Sequence, residues 1–322
     1  MQMRPNQANW FAETFDRLVG NVEQAIRGKT HAVRLAMSCL LSGGHLLLED
    51  VPGTGKTILA RSMAAVVQGS HHRIQFTPDL LPADVTGVTI YNQGTGGFEF
   101  HPGPIFANIV LADEINRSSP KTQSALLEVM EEGRVSVDGV SHEVPQPFMV
   151  IATMNPVEQA GTYHLPEAQL DRFLIKTSLG YPDRSTTIEL LGDHRSGNRS
   201  AYVEPMITGQ SVIDMVELAS RVHADDTVLG YIAEIADATR DAEETDLGVS
   251  IRGCLALVRV AKTWAASQGR THVIPDDIKQ LVRPVFEHRC LLTPDATFAG
   301  VTVTQILQRI LDTVAPPTGV AA

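Results

Sequence analysis

One segment restricts the fold of this chain more than any other: the glycine-rich stretch Asp50-Val51-Pro52-Gly53-Thr54-Gly55-Lys56-Thr57. An apolar strand pattern at residues 45–48 precedes it, and a helix pattern at 56–68 follows it. Glycines let a backbone fold around phosphate oxygens, so that successive N–H groups and the N-terminus of the next helix point at them. The strict form of such a loop begins with Gly, whereas Asp50 stands at that position here. The segment predicts a strand–loop–helix unit that binds phosphate.

The loop residues have separate predicted roles. Lys56 would reach the β- and γ-phosphates, and the hydroxyl of Thr57 would ligate Mg²⁺. The predicted ligand is therefore ATP with Mg²⁺. The predicted nucleotide-binding residues are Pro52, Gly53, Thr54, Gly55, Lys56, Thr57 and Ile58.

A second motif follows about 55 residues later, where the apolar run Ile109-Val110-Leu111-Ala112 ends in Asp113 and Glu114. Two carboxylates at the end of a parallel strand lie at the edge of the sheet where phosphate loops also lie. We predict that Asp113 holds the Mg²⁺ shell and that Glu114 polarises the attacking water as general base.

A third polar group ends another apolar run, in Ala152-Thr153-Met154-Asn155-Pro156. Asn155 could hydrogen-bond both the γ-phosphate and the lytic water, which is a positioning role. By itself Asn-Pro indicates only a turn. Its place at the end of a predicted neighbouring strand is what makes it a candidate site residue.

The remaining patterns predict an α/β fold. Strand patterns at 73–76, 108–112, 148–153 and 173–179 complete a five-stranded sheet, and their continuous apolar runs are typical of parallel strands covered on both faces. After residue 182 only helix patterns recur. We predict a P-loop domain over 1–182 that includes N-terminal helices, a linker and connecting helix over 183–204, and a smaller all-α domain over 205–322.

Two predicted hairpins interrupt this α/β order. The first spans Val88–Phe100, and the second spans Arg134–Val144 with an Asp138-Gly139 turn. A nucleotide-binding core needs neither, so both are candidate functional insertions. The helix before the second hairpin should begin after Ser118 or Ser119 and end at Gly133.

Charge and cysteine content restrict the class of protein. The 322 residues include 26 Lys and Arg against 37 Asp and Glu, a formal charge of -11. Such an acidic chain is poorly suited to wrapping nucleic acid. The N-terminus is polar and no apolar run approaches the roughly 18 residues that span a bilayer, so we expect a cytoplasmic protein. Cys39, Cys254 and Cys290 lack paired spacing, so we expect buried thiols in a reducing compartment.

Taken together, these motifs resemble the AAA+ superfamily and, more narrowly, the MoxR family of AAA+ ATPases. The strings that carry the resemblance include Leu46–Thr57, Leu111–Arg117, Ala152–Pro156 and Leu165–Phe173, with Ile274–Asp277 and His288-Arg289 in the helical part. The resemblance covers residues 10–315. It implies an AAA+ core followed by an α-helical lid, and chaperone-like ATPase activity on protein partners.

The resemblance also implies roles for two arginines that would otherwise be read as surface residues. Arg172 matches the finger that reaches the ATP of a neighbouring subunit, and Arg252 matches the sensor arginine of the lid. A finger donated to a neighbour requires a ring, so a hexamer is implied. Partners with von Willebrand factor A domains, and maturation of metalloenzymes or complexes, are implied in the same way. The client protein is not indicated.

Three other functions remain open at this point. A DNA-dependent motor should carry Lys or Arg at the tip of the second hairpin, where this chain has Ser136, Asp138, Ser141, His142 and Glu143. A chelatase-type motor subunit, which drives metal insertion, shares the architecture and differs only in the family strings. An ATP-binding switch without hydrolysis is disfavoured by the presence of Glu114, Asn155 and Arg172.

Overall fold

A computed structural model describes residues 2–51, 53–155, 163, 165–192 and 199–317. Within these residues, no helix combines the length and the apolar character that crossing a membrane requires. The helices are α1 Pro5–Glu23, α2 Thr30–Leu40, α3 Lys56–Val66, α4 Pro82–Thr86, α5 Pro120–Glu132, α6 Glu167–Leu170, α7 Arg184–Gly192, α8 Gly209–Ser220, α9 Asp226–Asp241, α10 Ile251–Ser267, α11 Pro275–Phe286, α12 Pro294–Phe298 and α13 Val303–Thr313. The strands are β1 Leu46–Glu49, β2 His71–Gln75, β3 Gly87–Asn92, β4 Gly97–Pro102, β5 Ile109–Asp113, β6 Arg134–Val137, β7 Val140–Glu143, β8 Met149–Met154, β9 Ile175–Thr177, β10 Thr245–Leu247 and β11 Leu291–Leu292.

The central sheet has five strands in the order β2-β5-β8-β1-β9. β2, β5, β8 and β1 pair with one another in parallel. Every residue of β5 is buried, because α3 contacts this strand and because Leu126 and Leu127 of α5 join Val110 and Ala112 in one apolar core. The predicted five-stranded parallel sheet is confirmed.

The helix between the acid motif and the second hairpin is bounded by the predicted residues. Of the two candidate N-caps it uses Ser119, whose hydroxyl accepts a hydrogen bond from the backbone N–H of Thr122. Pro120 fills the first helical position, where its missing N–H costs nothing. Gly133 ends the helix in the left-handed conformation, with φ of 66°.

Both predicted hairpins form, β3 with β4 and β6 with β7. Asp138 and Gly139 turn the second hairpin with φ of 51° and 78°, the positive pair that a tight two-residue turn requires. The ring of Phe100 on β4 stacks on the ring of His142 on β7, with 3.9 Å between centroids. The two insertions therefore contact each other, although they lie far apart in sequence.

Contacts divide the chain into two compact units. One comprises Leu18–Phe173 and Thr177–Ile213, and the other comprises Met1–Arg17, Leu174–Lys176 and Asp214–Ala322. The beginning of α1 thus groups with the C-terminal helices, where the N–H of Met3 donates to the carbonyl of Arg221 at 3.1 Å. The domain limits at 182 and 204 remain predictions, and residues 193–198 of the linker lie outside the described residues.

The C-terminal part is helical, as predicted, but it also contains a short antiparallel ribbon of β10 and β11. The sequence patterns did not predict this ribbon. Strands of two or three residues show no period that distinguishes them from a loop, so only their pairing identifies them.

The expectation of three buried thiols is correct for one of them. Cys39 is buried, whereas Cys254 and Cys290 are partly exposed, and none of the three forms a disulfide. Burial raises the pKa of the Cys290 thiol to about 11, so this thiol stays protonated at neutral pH.

Candidate active site

Three adjacent strands bring the predicted site residues to one edge of the sheet. β8 lies between β1 and β5, and the register pairs Glu49 of β1 with Met154 of β8 and Ala112 of β5 with Ala152 of β8. The glycine-rich loop follows β1, the acid pair ends β5, and Asn155 follows β8. All three groups therefore lie at the carboxyl ends of neighbouring parallel strands, where open α/β sheets bind ligands.

The glycine-rich loop has a backbone that few other residues could adopt. Gly53 and Gly55 have φ of 85° and 101°, in the region that favours glycine. Gly55 is the N-cap of α3, and no side chain caps the helix there. The first N–H groups of α3 are thus available to an anion, and the helix dipole favours one. Pro52, a predicted loop residue, lies outside the described residues.

Lys56 begins α3 and turns its ammonium group back over the loop. It donates hydrogen bonds to the carbonyls of Asp50 and Val51, at 3.1 and 3.3 Å. The hydroxyl of Thr54 also bonds to the carbonyl of Val51, at 3.3 Å. The loop is partly enclosed and carries the ammonium group of Lys56, since four of its residues are half-buried: Thr54, Lys56, Thr57 and Ile58.

Asp50, which departs from the strict pattern, has a structural partner. Its carboxylate is buried and accepts hydrogen bonds from the backbone N–H groups of Leu179 and Gly180. The negative charge of Asp50 therefore faces the N–H groups of Leu179 and Gly180. The loop keeps the glycine geometry at Gly53 and Gly55 despite the departure.

The acid pair is organised by one buried hydroxyl. Thr153 of β8 donates to Oδ1 of Asp113 at 2.6 Å and accepts from the backbone N–H of Glu114 at 2.8 Å. Glu114 has φ of 57° and ψ of 49°, which is uncommon for a residue other than glycine. Thr153 thus fixes both the direction of the Asp113 carboxylate and the turn that carries Glu114. The sequence patterns did not single out Thr153, because a threonine within an apolar strand fits its β-propensity alone.

Three more side chains hold the pair, and none of them was predicted as a site residue. Arg73 of β2 donates to Oδ2 of Asp113, at 2.7 Å from its nearer nitrogen. Gln75 of β2 donates to Oε2 of Glu114 at 2.8 Å, and Arg117 donates to the same oxygen at 3.0 Å. Arg73 and Gln75 lie two residues apart, so they share one face of the strand. The pairing of Gln75 with Asp113 brings that face beside the acids.

The donor atoms at this edge suit a hard cation. Thr57 offers a hydroxyl oxygen and Asp113 a carboxylate, and Mg²⁺ is characteristically held by one or two such protein oxygens together with phosphate oxygens and water. Thr57 lies on α3, which contacts the strand that carries Asp113. The residues present therefore fit Mg²⁺ bound with a nucleotide.

The other candidate residues have different environments. Asn155 is buried and follows β8 directly. Arg172, with its side chain 28% exposed, forms an ion pair with Glu131 of α5 at 2.8 Å. Arg252 lies in the first turn of α10, which Ser250 caps, and it is exposed. Arg252 belongs to the other compact unit, so its role at the nucleotide stays a prediction.

Comparison with known proteins identifies the family of this chain. Residues 45–175 match a family model described as "ATPase family associated with various cellular activities (AAA)", and residues 237–310 match the "AAA lid domain". The chain is 39% identical to Chaperone MoxR1 of Mycobacterium tuberculosis, over 94% of this chain and 82% of that one. The chain belongs to the MoxR family of AAA+ ATPases.

Other relatives show how far the similarity extends. This MoxR family member is 48% identical to the uncharacterized protein YeaC of Bacillus subtilis over 94% of both chains. It also resembles a crystal structure of a Cytophaga hutchinsonii protein assigned as an ATPase, with a TM-score of 0.89 and 35% identity over 97% of this chain and 98% of that one. A magnesium-chelatase subunit ChlI homolog of Methanocaldococcus jannaschii is 27% identical over 58% of this chain and 51% of its own length. Similarity to a chelatase is thus weaker and shorter than similarity to MoxR proteins.

Proposed function

We propose that this MoxR family ATPase hydrolyses Mg-ATP at the carboxyl edge of its sheet and, as an oligomeric ring, uses that reaction to remodel protein partners. One observation carries the hydrolysis proposal. The loop of Lys56, the acids Asp113 and Glu114, and Asn155 follow three adjacent parallel strands. They belong to one compact unit, so one triphosphate could contact all of them.

In this proposal each residue has a separate task. The N–H groups around Gly55 and the ammonium of Lys56 bind the phosphates, and Lys56 exchanges its loop carbonyls for phosphate oxygens. Thr57 and Asp113 would hold Mg²⁺, which would supply charge neutralisation and orientation of the phosphates. Glu114 accepts a proton from the attacking water, and Asn155 orients that water.

Two arginines complete the proposed site, and one of them, Arg172, acts between subunits. We propose that Arg172 leaves Glu131 and neutralises the γ-phosphate bound by a neighbouring subunit, and that Arg252 acts as the lid sensor. An arginine finger contributes on the order of 10³–10⁵ in rate in phosphoryl transfer, so loss of Arg172 should nearly abolish turnover. We propose a hexameric ring.

Exposed apolar side chains on the first hairpin favour protein over nucleic acid as the partner. Val88, Ile90, Tyr91 and Phe98 are all exposed, Phe98 by 76%. At the tip of the second hairpin lie Asp138 and the exposed Val140, and no basic residue. An apolar surface of this kind suits contact with protein segments. We propose that the client binds here and that the further partner carries a von Willebrand factor A domain.

The test of hydrolysis compares Glu114→Gln with Lys56→Ala. Glu114→Gln should bind ATP within about threefold of wild type while the rate of phosphate release falls by about 10²–10⁴, because only the base is removed. Lys56→Ala should lose ATP binding itself. Unchanged turnover in Glu114→Gln would refute its role as base, and strong stimulation by single-stranded DNA would favour a DNA motor instead.

Subunit mixing tests the ring and the finger together. Arg172→Ala and Lys56→Ala are each expected to be inactive alone. Mixed rings should regain activity at sites where an intact Lys56 faces an intact Arg172 of the neighbour. Absence of any recovery, with hexamers demonstrated by analytical ultracentrifugation, would contradict a finger that acts between subunits. Affinity capture with Glu114→Gln in ATP should then recover a von Willebrand factor A domain protein that Lys56→Ala does not recover.

A chelatase-type motor remains the second candidate, because a ChlI homolog is among the more distant relatives. Such a subunit would need companion subunits and a tetrapyrrole. ATP turnover that depends on these companions and on a porphyrin, but not on a protein client, would favour this alternative.

A further inference from the structure

Asp50 links three parts of the molecule through different atoms of one residue. Its N–H donates to the carbonyl of Met154 at the end of β8, at 3.1 Å. Its carbonyl accepts from the ammonium of Lys56 at 3.1 Å. Its carboxylate accepts from the N–H groups of Leu179 and Gly180, at 2.5 and 3.0 Å for the shortest contacts.

The carboxylate contact joins the loop to the place where the chain leaves the sheet. Leu179 and Gly180 lie between β9, the last strand of the sheet, and α7. Leu179 is buried, and Gly180 has a left-handed φ of 61°. The next residue, Tyr181, accepts a hydrogen bond on its carbonyl from Lys29 at 2.6 Å. The path of the chain after the sheet is thus fixed partly by the loop.

A glycine at position 50 would lack this connection. Asp50 is only 5% exposed, so water does not readily replace the carboxylate as acceptor for the two amides. Removal of the side chain would leave the amides of Leu179 and Gly180 without this partner. The residue that breaks the strict loop pattern is therefore the residue that connects the loop to this segment.

Nucleotide binding would act directly on this residue. Under the proposed function, on which this inference rests, Lys56 turns to the phosphates and releases the carbonyl of Asp50. We propose that Asp50 is a positioning residue that couples the nucleotide loop to the segment 179–180, so that the order of this segment depends on the bound nucleotide. The segment leads along the chain toward the C-terminal helices, which is where a motor needs its nucleotide state to be transmitted.

The experiment measures hydrogen–deuterium exchange by mass spectrometry in peptides covering 176–182 of the full-length protein, with and without Mg-ADP and Mg-ATP. In wild type, exchange at 179–180 should change on nucleotide binding. In Asp50→Ala it should be at least about tenfold faster and should no longer respond to nucleotide, because the acceptor is gone. Asp50→Asn keeps an acceptor oxygen and should largely restore the response. Glu128→Gln, which alters an exposed acid of α5, should behave as wild type.

Binding of a fluorescent ADP, measured in parallel, separates the possible failures. If wild type binds no nucleotide, the proposed function fails first. If wild type binds nucleotide but exchange at 179–180 does not change, or if Asp50→Ala responds as wild type does, the coupling is refuted. A purely structural role would lower the melting temperature of Asp50→Ala and leave its nucleotide response intact, which also refutes the coupling. If Asp50→Ala does not fold, the other two proteins decide. A nucleotide-dependent change in exchange at 179–180 in both wild type and Asp50→Asn supports the coupling, and no change in either refutes it.

Discussion

The glycine-rich loop and the acid pair lie at the same edge of the sheet, but they are held in different ways. The loop is shaped by its own backbone, through positive φ at Gly53 and Gly55 and through bonds from Lys56 to carbonyls five and six residues before it. The acid pair is held by side chains from other strands, and Thr153 contacts Asp113 across 40 positions of sequence. The local motif therefore encodes nearly all of the loop geometry. For the acid pair, the local motif encodes which residues are present, but not how their carboxylates are oriented.

Of the substitutions that test this difference between loop and acid pair, we expect the largest loss of activity at Thr153. Thr153→Val keeps the shape of the side chain but removes the hydroxyl that bonds Asp113 and the N–H of Glu114. Residues that orient ligands in this way typically account for about 10- to 100-fold in activity or metal affinity, so we expect kcat to fall by that factor. Binding of Mn²⁺ in the presence of ADP, followed by electron paramagnetic resonance, should weaken in parallel.

Thr153→Ser provides the matched control, since it retains the hydroxyl. It should recover most of the activity and of the Mn²⁺ affinity. If the valine and serine variants are equally impaired, packing at this position rather than the hydrogen bonds matters, and the contrast between loop and acid pair disappears.

A smaller effect is expected from the backbone of the loop. A Cβ at Gly55 would meet no atom within 4 Å, so Gly55→Ala tests conformation without a steric clash. The left-handed conformation costs a residue with a side chain about 1–2 kcal/mol. Calorimetry should therefore show ATP binding weakened by about 5- to 30-fold.

Gly230→Ala is the control for that substitution. Gly230 lies within α9, also with open space at its Cβ position and without a positive φ. Alanine there should stabilise the fold by about 0.4–1 kcal/mol and leave ATP binding unchanged. Equal ATP affinity in Gly55→Ala and wild type would show that the loop does not depend on glycine conformation.

The smallest effect is expected at Gln75, which donates to one oxygen of Glu114 and accepts a hydrogen bond from Arg73. Gln75→Ala removes the bond to Glu114, worth about 1 kcal/mol, and the bond from Arg73. Arg117 still holds the Glu114 carboxylate, and Arg73 keeps its own bonds to Asp113. We expect kcat to fall by about 2- to 10-fold with an unchanged KM for ATP, measured in a steady-state phosphate-release assay. A change in KM alone would indicate that Gln75 acts on nucleotide binding and not on the base.

The sequence patterns located all five strands of the sheet and both hairpins. Buried parallel strands are continuously apolar, which makes them visible in the sequence. An Asp-Gly pair between two strand patterns is a strong signal for a two-residue hairpin turn, as in the second hairpin. Element ends were less certain. The last strand of the sheet was predicted over 173–179 and spans only Ile175–Thr177. Helix α4 and the ribbon of β10 and β11 were not predicted, since elements this short show no period.

The amino-acid sequence alone determined the phosphate loop, the order of the elements and the family, because each depends on neighbouring residues that form one local structure. Only the tertiary structure decided which side chains support the acids, and that Asp50 faces Leu179 and Gly180. Those contacts join residues that are far apart in the sequence, so no helix or strand periodicity relates them. They exist because parallel pairing in the order β2-β5-β8-β1-β9 brings distant strand ends to one edge.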